Sequence, residues 1–216
     1  MIADINSFVT NLRKNLSSNL LPGIEAQLKM SPNVRNPHFE SQIPNELTKK
    51  AAVLITILIQ KKAIKTVLIK RTEYDGAHSG QISFPGGKVE KTDKNIYHTA
   101  LREANEEIGI NINKIEIIGS LTTLYVPISD ICICPVIGLA MEKINYKLNH
   151  NEVVEAIEVN IESLLNSKNI SQMQFFTNNL EIIAPYYKVK NNNVWGATAM
   201  IISEFLEVIK RTITFP

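Results

Sequence analysis

The spacing of hydrophobic residues predicts helices near both ends of the chain. Close to the start, apolar side chains recur at intervals of three and four residues, at Ile5, Phe8, Val9, Leu12 and Leu16. This is the spacing of one face of an amphipathic helix, and it is expected to end near residues 20–23. A short helix is predicted around residues 161–165 and a longer one at 197–210.

Runs of β-branched and aliphatic residues predict strands between these helices. Residues 52–59 and 66–69 read as neighbouring strands joined by a polar connection, and further strands are expected at 115–125 and 131–139. Because strands and helices mix without a regular βαβ alternation, the pattern favours an α+β fold, layered as an α/β/α sandwich around a mixed sheet.

Turn-forming residues divide the chain into two parts. Residues 31–44 contain three prolines and several Asn and Ser without a sustained period, which is typical of a loop or linker. We therefore predict an N-terminal helical extension and linker over residues 1–48, followed by the main domain over residues 49–216.

Composition restricts the class of protein. The 216 residues are 44% hydrophobic, and 23 basic and 21 acidic residues are interspersed to a net charge of +2. This mixture predicts a globular protein with no nucleic-acid partner. The apolar run at 51–59 is too short to cross a membrane as a helix, and the start lacks a secretory signal, so the cytoplasm is the expected compartment.

A helix carrying three glutamates is predicted between Asp93, as its N-cap, and Gly109, as its left-handed C-terminal residue. Glu103, Glu106 and Glu107 follow the spacing i, i+3, i+4, which brings neighbouring β-carbons to within roughly 5–6 Å. Three such carboxylates can converge on Mg²⁺ or Mn²⁺. By itself, however, this spacing is also that of an exposed helix face. Its apolar positions, on another face, are Ile96, Ala100, Ala104 and Ile108.

The neighbouring residues favour a metal site over an exposed face. Gly86 and Gly87 precede the helix, and glycine lets the backbone approach a ligand or metal with no side chain in the way. Arg102 lies four residues before Glu106. This order adds little to helix stability, so Arg102 is expected to hold a metal-binding carboxylate in place.

These residues resemble the Nudix hydrolase signature, in which a glycine and an acid precede R-E-U-x-E-E-x-G-U. Gly87, Asp93 and the segment 102–110 match it, although Asp93 stands where most Nudix proteins have Glu and lies one residue farther from Arg102. That departure resembles the coenzyme A pyrophosphatase branch. The further segments that resemble this branch are 68–72, 78–87, 99–104, 21–27 and 194–199.

The resemblance implies a hydrolase that uses Mg²⁺ or Mn²⁺ to cleave the pyrophosphate of coenzyme A, or of its derivatives, to 3′,5′-ADP and 4′-phosphopantetheine or its acyl form. It implies that Glu103, Glu106, Glu107 and the Gly87 carbonyl bind the metal, while Arg102 orients. The general base is either Glu103 or a downstream acid. Glu152 is the downstream candidate, and Glu155 and Glu158 lie in the same stretch. The resemblance also implies a possible homodimer, for which the sequence itself gives no separate indication.

Substrate contacts are predicted outside the helix. Strand alternation allows only one of Lys70 and Arg71 to face the pocket, and Arg71 is the candidate. His78 and Gly86 are the other candidates, whereas Trp195 is expected to serve in packing.

One departure from the coenzyme A branch leaves other substrates as alternatives. The branch has an arginine at the position of Gly76. The alternative is a Nudix hydrolase of another nucleoside diphosphate derivative, such as ADP-ribose or NADH. A noncatalytic Nudix-fold ligand sensor is a second alternative, against which the three intact glutamates count.

Overall fold

The structure is a computed structural model, and it describes residues 4–17, 21–34, 43–61, 63–72, 80–177 and 180–214. The helices of these residues are α1 (Ile5–Ser17), α2 (Gly23–Leu28), α3 (Ile96–Ile108), α4 (Ile161–Leu165) and α5 (Gly196–Thr214). The strands are β1 (Asn33–Val34), β2 (Lys49–Gln60), β3 (Ala63–Arg71), β4 (Ile82–Ser83), β5 (Gly86–Lys88), β6 (Ile115–Ser120), β7 (Leu124–Val126), β8 (Ile131–Ala140), β9 (Val153–Asn160), β10 (Ile170–Thr177), β11 (Leu180–Val189) and β12 (Asn192–Val194). No helix in these ranges is long and apolar enough to span a membrane.

The main sheet is mixed and splits beside its central strand. Its strand order is β4-β3-β2-β8-β6, with β2 parallel to β8, while β9 pairs with β3 and β7 with β8. β2 pairs with β3 only at residues 58–60, and its other end, residues 51–53, pairs instead with β5. The segment β4–β5 therefore occupies the opening between β2 and β3.

Alternation along β2 places helices on both faces of this sheet. Leu54 and Leu58 pack in the cluster that contains the apolar stripe of α3. Ile55 and Ile57 point the other way, into the cluster that contains α1 and α5. This arrangement confirms the predicted α+β class, with helices on both sides of a mixed sheet.

Most predicted elements are present with shifted bounds. The strands at 52–59, 66–69 and 131–139 correspond to β2, β3 and β8, and the helices at 161–165 and 197–210 to α4 and α5. The strand predicted at 115–125 is interrupted, because residues 121–123 separate β6 from β7.

A second, antiparallel sheet of β1, β10, β11 and β12 was not predicted. Trp195 follows β12 and packs edge to face against Phe175 of β10, with ring centroids 5.1 Å apart. This contact confirms the packing role expected of the tryptophan.

The N-terminal helices pack against α5. Phe8 and Leu12 of α1 lie in the same core as Phe205 of α5, and α2 joins α5 through a buried polar network. Glu204 of α5 is fully buried and accepts hydrogen bonds from the Gln27 side chain at 2.8 Å and the Gly23 backbone at 3.1 Å. The division at residues 48 and 49 stays a prediction.

The buried network yields a stability prediction. Gln27→Leu removes the amide that donates to Glu204 and to the Thr122 carbonyl, so a buried carboxylate oxygen loses its donor. We expect the free energy of unfolding to fall by about 1–3 kcal/mol in urea titrations. Lys29→Ala is the control, because it removes an exposed pair with Glu207 and should cost less than about 1 kcal/mol. Equal losses in the two variants would contradict this account.

Candidate active site

The N-terminal end of α3 differs from the prediction. Asn95, not Asp93, is the N-cap, and its side-chain oxygen accepts the His98 backbone N–H at 2.9 Å. The predicted assignment of Asp93 to the cap is therefore wrong. Asn is as good a cap as Asp, and the Asp93 carboxylate is engaged elsewhere.

The C-terminal end of α3 is as predicted. Gly109 has φ +67° and donates its N–H to the Asn105 carbonyl, which is the left-handed ending that glycine favours. The following carbonyls are satisfied by a distant segment: Lys147 donates to Ile108 at 3.0 Å and Asn149 donates to Glu107 at 2.9 Å. A strap at residues 147–149 therefore fixes the last turn of the helix.

Asp93 forms a partly buried ion pair with Arg102. Its side chain is 0% exposed, and its two oxygens accept Arg102 Nε at 2.9 Å and Nη2 at 3.0 Å. Thr99 donates to the same carboxylate at 2.9 Å, and His98 Nδ1 lies 2.9 Å from it. The Arg102 guanidinium holds the pKa of Asp93 well below its usual range.

The same arginine contacts two of the three glutamates that are predicted metal ligands. Arg102 Nη1 lies 3.0 Å from Glu103 Oε1 and 3.1 Å from Glu106 Oε2. The guanidinium thus holds both carboxylates on one side of α3, and its orienting role stays a prediction. Burial nevertheless raises the pKa of Glu103, because desolvation outweighs the nearby positive charge.

Glu107 is the buried member of the three glutamates. Only 1% of its side chain is exposed, although the sequence pattern suggested one shared face with Glu103 and Glu106. Its two oxygens accept the Gly86 backbone N–H at 2.9 Å and Arg71 Nη1 at 3.1 Å. Burial raises the pKa of Glu107 to about 7, and the repulsion of Glu103 and Glu152 adds to that effect.

The glycine pair lies directly against these carboxylates. A β-carbon added to Gly87 would lie 2.5 Å from the carboxyl carbon of Glu103, so no side chain fits between them. Gly86 donates its N–H to Glu107. Pairing of β5 with β2 holds both glycines at the opening of the sheet.

Among the predicted substrate contacts, Arg71 faces the site. Its guanidinium meets Glu107, and the β3–β9 register shifts between Lys70 and Arg71 at the end of the strand. Such an irregularity redirects the side chains beside it. His78 and Gly76 lie outside the described residues.

Glu152 precedes β9 and is exposed, and its carboxylate lies within electrostatic range of both Glu103 and Glu107. The other two downstream acids point elsewhere. Glu155 pairs with Lys190 and Glu158 with Lys65. The structure therefore brings Glu152, and not these two, to the glutamates of α3.

The residues fit a divalent cation in chemistry, but their oxygens are held by arginines. In the described part of the chain, no three His, Cys, Asp or Glu side chains are gathered as a ready set of metal ligands. Arg102 takes Glu103 and Glu106, and Arg71 takes Glu107. Mg²⁺ and Mn²⁺ nevertheless prefer carboxylate oxygens as ligands. Burial and mutual repulsion disfavour the negative charges of Glu103 and Glu107, and a bound cation would offset both effects.

The layered fold and the glutamate-bearing helix behind a glycine turn define the class of protein. The chain belongs to the Nudix family, because the NUDIX domain model matches residues 48–175, more than half of its 216 residues. Nudix hydrolases generally use divalent metal ions and act on small nucleotide derivatives.

Individual relatives extend over most of the chain. The uncharacterised Nudix hydrolase NudL of Pectobacterium atrosepticum is 31% identical over 184 residues, covering 82% of this chain and 88% of that protein. The NudL of Photorhabdus laumondii is 28% identical over 178 residues, covering 80% and 94%.

Two solved structures support the fold. The Nudix hydrolase RenU from M. smegmatis aligns with a TM-score of 0.52 at 17% identity, covering 78% of this chain and 88% of that chain. A MutT/nudix family protein from Enterococcus faecalis aligns with a TM-score of 0.50 at 15% identity, covering 97% and 76%.

The environment of Glu107 predicts a titration near neutral pH. Its folded pKa of about 7 lies above that of an unfolded glutamate, so protonation stabilises the metal-free fold at low pH. This contribution is lost as the pH rises through about 7. Carbon-13 NMR of the glutamate carboxyls should show one group titrating near neutrality that is missing in Glu107→Gln. A metal-free protein whose glutamates all titrate below pH 5.5 would contradict the prediction.

Proposed function

We propose that this protein hydrolyses the pyrophosphate bond of coenzyme A or its derivatives in the cytoplasm. The observation that carries the proposal is the arrangement of Glu103, Glu106 and Glu107 around Arg102 and the glycine turn. Water adds to a phosphorus of the pyrophosphate, the bridging P–O bond breaks, and 3′,5′-ADP and 4′-phosphopantetheine leave. The segments resembling the coenzyme A branch support this choice of substrate.

The carboxylates of Glu103, Glu106 and Glu107, with the Gly87 carbonyl, would hold Mg²⁺ or Mn²⁺. A bound divalent cation would neutralise part of the phosphate charge and lower the pKa of a bound water. Arg102 keeps Glu103 and Glu106 on one side of the helix, as its hydrogen bonds at 3.0 and 3.1 Å indicate.

The remaining residues act on the proton and on the substrate. Glu152 or Glu103 accepts the proton of the attacking water, and Glu152 is the more exposed of the two. Arg71, at the mouth of the sheet opening, would contact phosphate. Gly86, which has no side chain, would let the substrate approach the backbone closely. His78 is proposed as a further substrate contact.

A second candidate function follows from one residue. Gly76 stands where the coenzyme A branch has an arginine, and a bidentate guanidinium is not easily replaced in phosphate binding. Hydrolysis of ADP-ribose or NADH is therefore the alternative. The second alternative, a noncatalytic sensor, is disfavoured by the retention of all three glutamates.

Product analysis tests the substrate proposal. With Mg²⁺ or Mn²⁺, we expect coenzyme A to give 3′,5′-ADP and 4′-phosphopantetheine faster than ADP-ribose, NADH or nucleoside triphosphates are cleaved. Glu107→Gln should abolish the reaction, whereas Glu142→Gln, an exposed residue paired with Lys114, should retain it. Preferential turnover of ADP-ribose would contradict coenzyme A as the substrate and favour the alternative substrate. Full activity of Glu107→Gln would contradict the assignment of Glu107 as a metal ligand.

The contact between Gly87 and Glu103 gives a separate test. In Gly87→Ala the new β-carbon would displace the Glu103 carboxylate, whose flexible side chain can move without unfolding the protein. We expect Mn²⁺ affinity, measured by electron paramagnetic resonance, to fall at least roughly tenfold. The thermal midpoint should change by only a few degrees. Unchanged Mn²⁺ affinity would exclude Glu103 and Gly87 from the metal site.

A further inference from the structure

The turn that carries Glu152 is organised by one residue, Asn149. The Asn149 carbonyl accepts the backbone N–H groups of Glu152 at 2.9 Å and Val153 at 2.8 Å. Its side-chain oxygen accepts the Asn151 N–H at 3.2 Å. Thr72, directly after β3, donates its own N–H to the Glu152 carbonyl at 2.9 Å. Hydrogen bonds from two directions therefore fix the backbone of the turn.

Asn149 also ties this turn to α3. Its backbone N–H donates to the carbonyl of Glu107 at 2.9 Å, inside the last turn of the helix that bears the three glutamates. The position of the turn is thus defined relative to Glu107 itself. This tether uses the main chain and persists when the side chain is replaced.

The side-chain amide of Asn149 has one consistent orientation. A backbone N–H can only donate, so the atom that faces Asn151 must be the amide oxygen. The NH₂ group then points at the Glu152 carboxylate, and Nδ2 lies 3.1 Å from Oε1. Both ends of the amide are therefore used, one for the turn and one for the acid.

This hydrogen bond opposes a repulsion. Glu152 lies within electrostatic range of Glu103 and Glu107, and like charges disfavour each other there. An exposed glutamate is otherwise free to swing into solvent, where its charge is better hydrated. Within the described residues, the Asn149 amide is the hydrogen-bond donor that keeps the Glu152 carboxylate from turning into solvent.

We propose that Asn149 is a positioning residue that holds the Glu152 carboxylate over the glutamates of α3 for its role as general base. This inference rests on the proposed function, because Glu152 needs a substrate water to act upon. Asn149 itself contacts neither substrate nor metal in this assignment.

Asn149→Asp is the discriminating variant. A carboxylate keeps the acceptor for the Asn151 N–H but replaces the donor to Glu152 with a like charge. We expect kcat to fall roughly 10–100-fold, as for other residues that orient a functional group. KM should stay within about twofold, because substrate contacts are untouched. Mn²⁺ binding, measured by electron paramagnetic resonance, should not weaken.

Asn151→Ala is the matched control, since this exposed residue in the same turn is bound through its backbone. Its kcat, KM and thermal midpoint should equal those of the wild type. A uniform loss of kcat and thermal stability in both variants would show a general disturbance of the turn and overturn the proposal.

A double variant tests whether Asn149 acts through Glu152. If it does, Asn149→Asp combined with Glu152→Gln should be no slower than Glu152→Gln alone, because residues that act as a unit are non-additive. Multiplied losses would overturn the proposal, as would full activity of Glu152→Gln. These outcomes are read on whichever substrate the wild type cleaves. Failure of the wild type to cleave any substrate of the panel would instead refute the proposed function.

Discussion

The partly buried ion pair between Asp93 and Arg102 is the interaction on which the geometry of the site depends. The Asp93 side chain has no exposed surface, so removing Arg102 would leave its carboxylate without its main counter-charge. Asp93 uses two guanidinium nitrogens, and the third reaches Glu103 and Glu106. The loop before α3 thereby fixes the arginine, and the arginine fixes two acids that would otherwise repel each other.

The split in the sheet supplies the other half of the arrangement. Because β2 pairs with β3 only at residues 58–60, the glycine turn can enter the opening beside residues 51–53 and place the Gly86 N–H against Glu107. Arg71, at the end of β3, reaches the same carboxylate. A fully buried glutamate is thus partnered by strands on both sides of the opening, and its position depends on sheet topology as much as on its helix.

Local features of the site could be predicted from sequence, whereas its tertiary contacts could not. The apolar stripe of α3 and the left-handed Gly109 follow from residues a few positions apart. The role of Asp93 was missed because an aspartate can either cap a helix or form an ion pair with its carboxylate. Asn95, two residues later, is an equally good helix cap, and the sequence does not show which of the two residues caps α3. The strands β10 and β11 were missed because their polar residues and Pro185 interrupt any clear alternation. The relation of Glu152 to Glu107 requires the pairing of β3 with β9 and the strap at residues 147–149.

The fold tolerates this concentration of acids at a cost to its own stability. Burial disfavours the charged forms of Glu103 and Glu107, and the neighbouring Glu152 adds to the repulsion felt by both. Packing alone would favour neutral side chains at these positions, so their presence argues for a ligand that benefits from negative charge. A divalent cation is such a ligand, and its binding would relieve the same repulsion that raises the two pKa values. Arg102 and Arg71 hold these carboxylates, so a cation must replace these arginines or join them, and the free energy of metal binding includes that exchange.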